Sequence, residues 1–227
     1  MKQKNQTIIT IQKEMITACI RLADLGFLAG IGGNLAVRVD DKLMVVTPSA
    51  SDYYTMKPED LCVLKMDTLE MVEGTKQPTT ESGIHANFFL KRPDLNVSLH
   101  THQPLASAIT LLGKDIFLVT KEAKEKIGSK LIMVSYAPSG TSFLVSAFRK
   151  KITTEENGYL LKNHGIVCGA KDLKSAIRSV ILIEEEATAF LKQSIQKNID
   201  RFQFPKPLVE QIETVFTSQN FSGTKKK

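Results

Sequence analysis

The stretch Asn96-Val-Ser-Leu-His-Thr-His-Gln-Pro104 (NVSLHTHQP) is the pivot of the sequence. Side chains on a strand alternate faces, so His100 and His102 project to one side while Leu99 and Thr101 take the other. Two of the chain's four histidines therefore share one small volume. Pro104 suits the first turn of a helix, and PLASAITLLG, closing on Gly113, supplies the body and the stop. The pair is thus predicted at a strand end beside a helix start. A catalytic divalent metal at such a place needs three protein ligands and an open position for water or substrate. His164, in the turn Asn163-His164-Gly165 between two short strands of GYLLKNHGIVCGA, is the obvious third candidate. The remaining histidine, His85, follows Glu81 by four residues, so on a helix the two share a face; it reads as a packed or supporting histidine rather than a ligand.

Working outward, Ile8, Ile11, Met15, Ala18, Cys19 and Leu22 fall at helical spacing, with Gly26 placed to end that helix. After the glycine-rich turn Gly30–Asn34, the alternation in LAVRV and KLMVVT predicts two strands joined by Asp40-Asp41. LCVLKMD is a third strand after the helix-like turn KPED. From Glu81 to Arg92, Ile84, Phe88 and Phe89 share one helical face, and Pro93 forces the end. Downstream, KLIMVSYAP reads as a strand, TSFLVSAFRKK as a helix, and a long helix runs from Asp172 to about Asn198. Ile177, Val180, Ile181, Ala187, Phe190 and Leu191 form its buried side, which leaves Glu184-Glu185-Glu186 as a solvated patch. PKPLVEQIETVF suits a short helix, and SGTKKK a frayed end. Strands and helices mix without strict alternation, so the class is α+β or α/β with a mixed or antiparallel sheet.

Composition narrows the function. A chain of 227 residues, 42% of them hydrophobic, suits one domain with a proper core. The net charge of +6 owes three units to Lys225-Lys226-Lys227, and the 24 acidic residues are interleaved with the 30 basic ones. Without a basic stripe carrying aromatics, nucleic acid is not the expected partner, whereas a small anionic substrate is. Cys19, Cys62 and Cys168 lie far apart with no C-x-x-C, which argues against a disulfide framework or a cysteine zinc site and for a reducing cytoplasm. MKQKNQ leads into an amphipathic segment rather than a signal peptide, and no apolar run approaches the ~18 residues of a membrane span, so a soluble protein with no membrane partner is expected.

Four stretches then acquire a common meaning: TPSASDYYTMKPEDL, KQPTTESGIH, PDLNVSLHTHQPLASAI and LLKNHGIVCGAKDLKSAI. In this order and at these separations they resemble the class II aldolase/adducin family, over roughly residues 8–195. The resemblance implies that His100, His102 and His164 hold Zn2+, or another divalent ion such as Mn2+ or Co2+, and that Glu81 in PTTE is the catalytic carboxylate. It implies a three-layer α/β/α fold with a mixed, mostly antiparallel central sheet. One domain would span residues 1–227, with a C-terminal extension from 196, assembled as a homotetramer with sites between subunits.

The implied reaction is the reversible cleavage of a ketose or sugar phosphate, in which the metal stabilises an enediolate and Glu81 moves protons. Family aldolases carry Glu at this position and the 4-epimerases Asp, so Glu81 points to cleavage. Gly33, Asn34, Ser49, Thr79 and Thr80 match the family's phosphate contacts. Two positions depart from the pattern: Ile31 stands for Thr or Ser, and Ala50 for a glycine that admits close backbone approach. In place of an interface tyrosine the chain has Lys121 or Lys124. Related readings are a metal-dependent decarboxylase or dehydratase of a hydroxy or keto acid or sugar phosphate. A reading of another class is a non-catalytic, adducin-like interaction module; adducin heads lack the ligand set that this chain keeps.

Overall fold

The computed structural model describes residues 2–28 and 32–218, so Ile31 and the SGTKKK end lie outside the described residues. The pivotal stretch forms β5 (Val97–Thr101) in the middle of a sheet. On one side it pairs antiparallel with β1 (Asn34–Arg38), which sets Asn34 opposite His100. On the other it pairs antiparallel with β9 (Gly165–Ala170), which sets Val167 opposite His100. The sheet continues beyond β1 through β2 (Leu43–Val46), β3 (Cys62–Lys65) and β4 (Met71–Glu73). Beyond β9 it continues through β8 (Gly158–Leu161), β7 (Lys130–Val134) and β6 (Ile116–Phe117). Of these neighbours only β7 and β8 run parallel. The β1–β2 turn is tied by Asp40, whose Oδ1 accepts from the N–H groups of Lys42 and Leu43 at 2.8 Å each.

Strand alternation sorts the side chains into two layers. Leu35, Val37, Val97 and Leu99 join a core with α1 (Lys2–Asp24), α3 (Pro104–Ile109), α4 (Lys121–Ile127) and α6 (Leu173–Phe202). Gly26 follows α1 at φ 75, the left-handed stop its position predicts. The other face of the sheet packs on α2 (Ser82–Lys91) and α5 (Ser142–Lys151). There Phe88, Phe148 and Tyr159 meet edge to face at 5.1–5.4 Å. Helices therefore cover a mixed, mostly antiparallel sheet on both sides, the expected three layers. Ser98 and His100 point to the α2 side, opposite Leu99.

Four local expectations change. The strand predicted over KLIMVSYAP ends at Val134, and the chain then leaves the sheet. β4, β6 and α4 have no counterpart in the sequence reading, and α6 runs on to Phe202 before α7 (Lys206–Ser218). Glu184-Glu185-Glu186 is not a solvated patch. Glu184 is 0% and Glu186 5% exposed, and only Glu185 turns outward, to Arg178 at 3.3 Å. Glu184 accepts from the first N–H groups of α3, Leu105 at 2.8 Å and Ala106 at 2.7 Å. Glu186 accepts from the N–H groups of Val119 and Thr120 at 2.8 Å each. Both carboxylates satisfy backbone donors that have no partner within their own segments.

Candidate metal centre

β5 carries His100, and His102 follows one residue beyond its end. The β8–β9 turn carries His164 between Asn163, at φ 56, and Gly165. Asn tolerates that left-handed conformation because its short polar side chain bonds locally. Gly165 is required for another reason. A Cβ there would lie 2.5 Å from His102 Cδ2, 2.7 Å from the Thr101 carbonyl and 3.2 Å from His100 Cε1. On the opposite flank Gly33 sits at φ +80, where a Cβ would come within 2.8 Å of the His100 carbonyl. Two glycines thus let the turn and β1 close on the histidine pair.

The three imidazoles converge. His100 Nε2 lies 2.8 Å from His102 Nε2 and 3.2 Å from His164 Nε2, and the three ligand atoms all fall within 4.8 Å of one another. His100 Nδ1 is 2.9 Å from the Ile166 carbonyl. A carbonyl only accepts, so Nδ1 carries the hydrogen and the Nε2 lone pair faces the centre. Burial pushes His100 down to about 4 against the pull of Glu81, and burial lowers His102 too. Neutral imidazoles are the form a cation binds. Donor type, protonation and the glycine-cleared space all fit a divalent ion with three protein ligands.

Glu81 precedes α2 as its N-cap residue, yet its side chain caps nothing. It turns into the site, with Oε2 accepting from Asn34 Nδ2 and Oε1 from Ser139 Oγ, both at 2.9 Å. The same oxygens lie 3.2 Å from His100 Nε2 and 3.5 Å from His164 Nε2. Burial works to raise its pKa, but His100, the Asn34 N–H, His164 and Ser139 together hold the carboxyl below its ordinary range. Behind it, Asn34 Oδ1 meets His85 Nε2 at 2.6 Å, and His85 Nδ1 meets Ser98 Oγ at 2.7 Å.

A cavity of about 160 Å³ opens onto this group. Gly33, Asn34, Ser49, Thr79 and Thr80 all line it with Glu81, His102 and His164, while His100 lies fully buried behind. Pairing of Ser49 N–H with the Gln77 carbonyl at 2.9 Å, and of Thr79 N–H with the Thr47 carbonyl at 3.1 Å, draws the two hydroxyl-bearing segments together. Ala50 also lines the cavity, at φ 48. It thus adopts a left-handed backbone that glycine accepts freely, at a cost of about 1–2 kcal/mol for a residue with a Cβ. Asn34 has its side chain committed at both ends, to Glu81 and to His85. Lys121 and Lys124 do not line the cavity; Lys121 is exposed on α4 and pairs with Glu125 at 3.8 Å. Ser139 is the residue the sequence reading missed. It lies just past Pro138, and no spacing rule links it to Glu81, 58 positions away. A larger cleft of about 570 Å³ shares Thr80 but holds none of the histidines.

The family described as Class II Aldolase and Adducin N-terminal domain matches residues 13–191. The chain is 33% identical to an L-fuculose phosphate aldolase of Methanocaldococcus jannaschii, over 82% of this chain and 98% of that one. It is 32% identical to a 5-deoxy-D-ribulose 1-phosphate aldolase of Bacillus thuringiensis, over 78% of each. A more distant relative, at 28% over 82% of this chain and 90% of its own, is a 3-oxo-tetronate 4-phosphate decarboxylase of Haemophilus influenzae. A solved L-fuculose 1-phosphate aldolase superimposes with a TM-score of 0.72 at 25% identity, covering 92% of this chain and 96% of that one. The chain belongs to the class II aldolase and adducin family.

Proposed function

From this membership we propose that the chain is a divalent-metal-dependent lyase that reversibly cleaves a ketose or sugar phosphate into two carbonyl fragments. One observation carries the reading: a single carboxylate, Glu81, meets the Nε2 atoms of His100 and His164 at 3.2 and 3.5 Å beside a small cavity. His100, His102 and His164 would hold the ion, which we take to be zinc, with manganese or cobalt suiting the same donors. When bound, it supplies Lewis-acid polarisation of a substrate ketone and the neighbouring hydroxyl.

The remaining work falls to the chain itself. Glu81 takes the proton from the hydroxyl of the carbon that becomes the aldehyde. As the carbon–carbon bond breaks, its electron pair passes to the ketone fragment, and Glu81 returns the proton to that fragment's carbon. The Ser139 hydroxyl, on Oε1, can donate to the carboxylate and then turn to accept from the carboxylic acid. Oε1 is therefore the oxygen suited to exchanging the proton. Ser49, Thr79 and Thr80 offer hydroxyls to an anionic substituent at the cavity wall, where Gly33 and Asn34 complete the lining.

The unbridged, buried Cys19, Cys62 and Cys168 support a cytoplasmic enzyme of carbohydrate metabolism. No helix among the described residues is long and apolar enough to cross a membrane. One continuous sheet supports reading the chain as a single domain. Phe117 and Phe143, 72% and 75% exposed, support a homotetramer in which such surface is covered.

The test is a screen of ketose 1-phosphates with and without chelator, after metal analysis of wild type and of His100→Ala. Metal in the wild type, its loss in the variant, and chelator-sensitive release of dihydroxyacetone phosphate are expected. Carbon dioxide release from a keto acid phosphate, with no sugar cleaved, would instead select the decarboxylase chemistry that one relative carries. A metal-free wild type that still binds a macromolecule would select the interaction module.

A further inference from the structure

Glu81 is not held by direct neighbours alone. Starting from its charge, every hydrogen in the chain behind it can be placed. A carboxylate only accepts, so the Asn34 group 2.9 Å from Oε2 is the amide nitrogen, and the amide oxygen faces His85. That oxygen also only accepts, so the His85 nitrogen 2.6 Å away, Nε2, carries the hydrogen. A neutral imidazole then has a bare Nδ1, which accepts from the Ser98 hydroxyl at 2.7 Å. Ser98 and His85 are both 0% exposed, so water offers neither group a substitute.

We propose that His85 is a positioning residue: through Ser98 behind it and Asn34 before it, it locks the Asn34 amide as a donor and so aims the Glu81 carboxylate at the histidine triad. The alternative amide orientation would set the Asn34 oxygen against Oε2 and the Asn34 nitrogen against the His85 N–H. Each contact would pair like with like. The Glu81 charge and the His85 Nε2–H together oppose that flip. Burial drives its imidazole down to about 3, so it stays neutral and keeps one donor and one acceptor throughout the physiological range. Oε2 is thereby committed to a donor that cannot reverse, while the Ser139 hydroxyl on Oε1 can. The sequence interval supports the assignment, because Glu81 at the start of α2 and His85 one turn on reach the same Asn34 from one helix face. The link from His85 to catalysis rests on the lyase reading; the hydrogen placement does not.

Two measurements test it. In the metal-loaded wild type, imidazole nitrogen NMR should show His85 neutral with the hydrogen on Nε2; a hydrogen on Nδ1 would overturn the assignment with no substrate needed. The second compares His85→Gln, whose amide can still donate to Asn34, with His85→Leu, which fills the space without a donor. His85→Leu should keep full metal content and a KM within about 2-fold while kcat falls roughly 10–100-fold, the scale of supporting-partner losses at such sites. His85→Gln should recover most of that loss. Equal losses in both variants, a change in KM alone, or an unchanged kcat in His85→Leu would overturn the positioning role. If His85→Leu does not fold, the wild-type tautomer decides. Should no sugar phosphate be cleaved by the wild type, the lyase reading fails and the tautomer still decides the orientation of Asn34.

Discussion

Glu81 and Glu184 are two glutamates nearly shut off from solvent, at 5% and 0% exposure, and their surroundings push them in opposite directions. Glu184 is held by two backbone N–H groups, those of Leu105 and Ala106, at the start of α3. Those donors belong to the fold and have nowhere else to go. Glu81 is held by side chains, Asn34 and Ser139, and lines a cavity beside His102 and His164. Burial prevails at Glu184 and raises its pKa despite the two N–H groups, whereas at Glu81 the imidazoles and side-chain donors outweigh burial and lower it. A dry carboxylate is therefore not in itself a catalytic one. What separates the two is whether the partners are spoken for by the backbone or open onto a space where a ligand fits.

The comparison breaks most decisively by substitution at each member. Glu81→Gln keeps the shape and removes the proposed proton carrier. Its kcat for sugar phosphate cleavage should fall about 10²–10⁴-fold with metal content unchanged, as steady-state kinetics and metal analysis will show. A fully active variant would remove Glu81 from the mechanism. Glu184→Ala should do the reverse, leaving two buried N–H groups unmet and lowering unfolding free energy by about 2–4 kcal/mol in urea titrations, with kcat per folded molecule unchanged. Ser139→Ala, which removes the reversible hydroxyl from Oε1, should lower kcat by about 10-fold and alter stability by less than about 1 kcal/mol.

The finest test is the pH dependence of unfolding in metal-free protein. A carboxyl whose folded pKa is lowered stabilises above its unfolded pKa, and that contribution is lost as pH falls through the folded value. One whose folded pKa is raised stabilises below the unfolded pKa and loses this as pH rises through the folded value. The stability gap between wild type and Glu81→Gln should therefore shrink on acidification, and that between wild type and Glu184→Gln should shift towards the wild type. Parallel trends in the two gaps would contradict the contrast drawn between them.

What the sequence shows, and what it withholds, divides along the same line. The H-x-H alternation put His100 and His102 on one face, the N-H-G turn offered His164, and the four-residue interval tied His85 to Glu81. Each is a short-range regularity of a strand, a turn or a helix. Ser139 was invisible because its partner lies 58 positions away, and Asn34, read as a substrate contact, gave no sign that its amide bridges Glu81 and His85. Glu184 and Glu186 were misread for the same reason. Their acidic run looks solvated until α3 and the Val119–Thr120 segment bring in their donors. β6 spans only Ile116–Phe117, too short for any period to register.

The histidines that meet at the centre come from points 64 residues apart along the chain. Bringing such remote segments together is entropically expensive, so the third imidazole joins His100 and His102 only when β5, β8 and β9 have assembled. A ligand with affinity for the finished state alone acts by mass action, and its stabilisation grows with the logarithm of its free concentration. The thermal midpoint of this protein should therefore track the supply of metal, making the centre a gauge of how completely the sheet has closed.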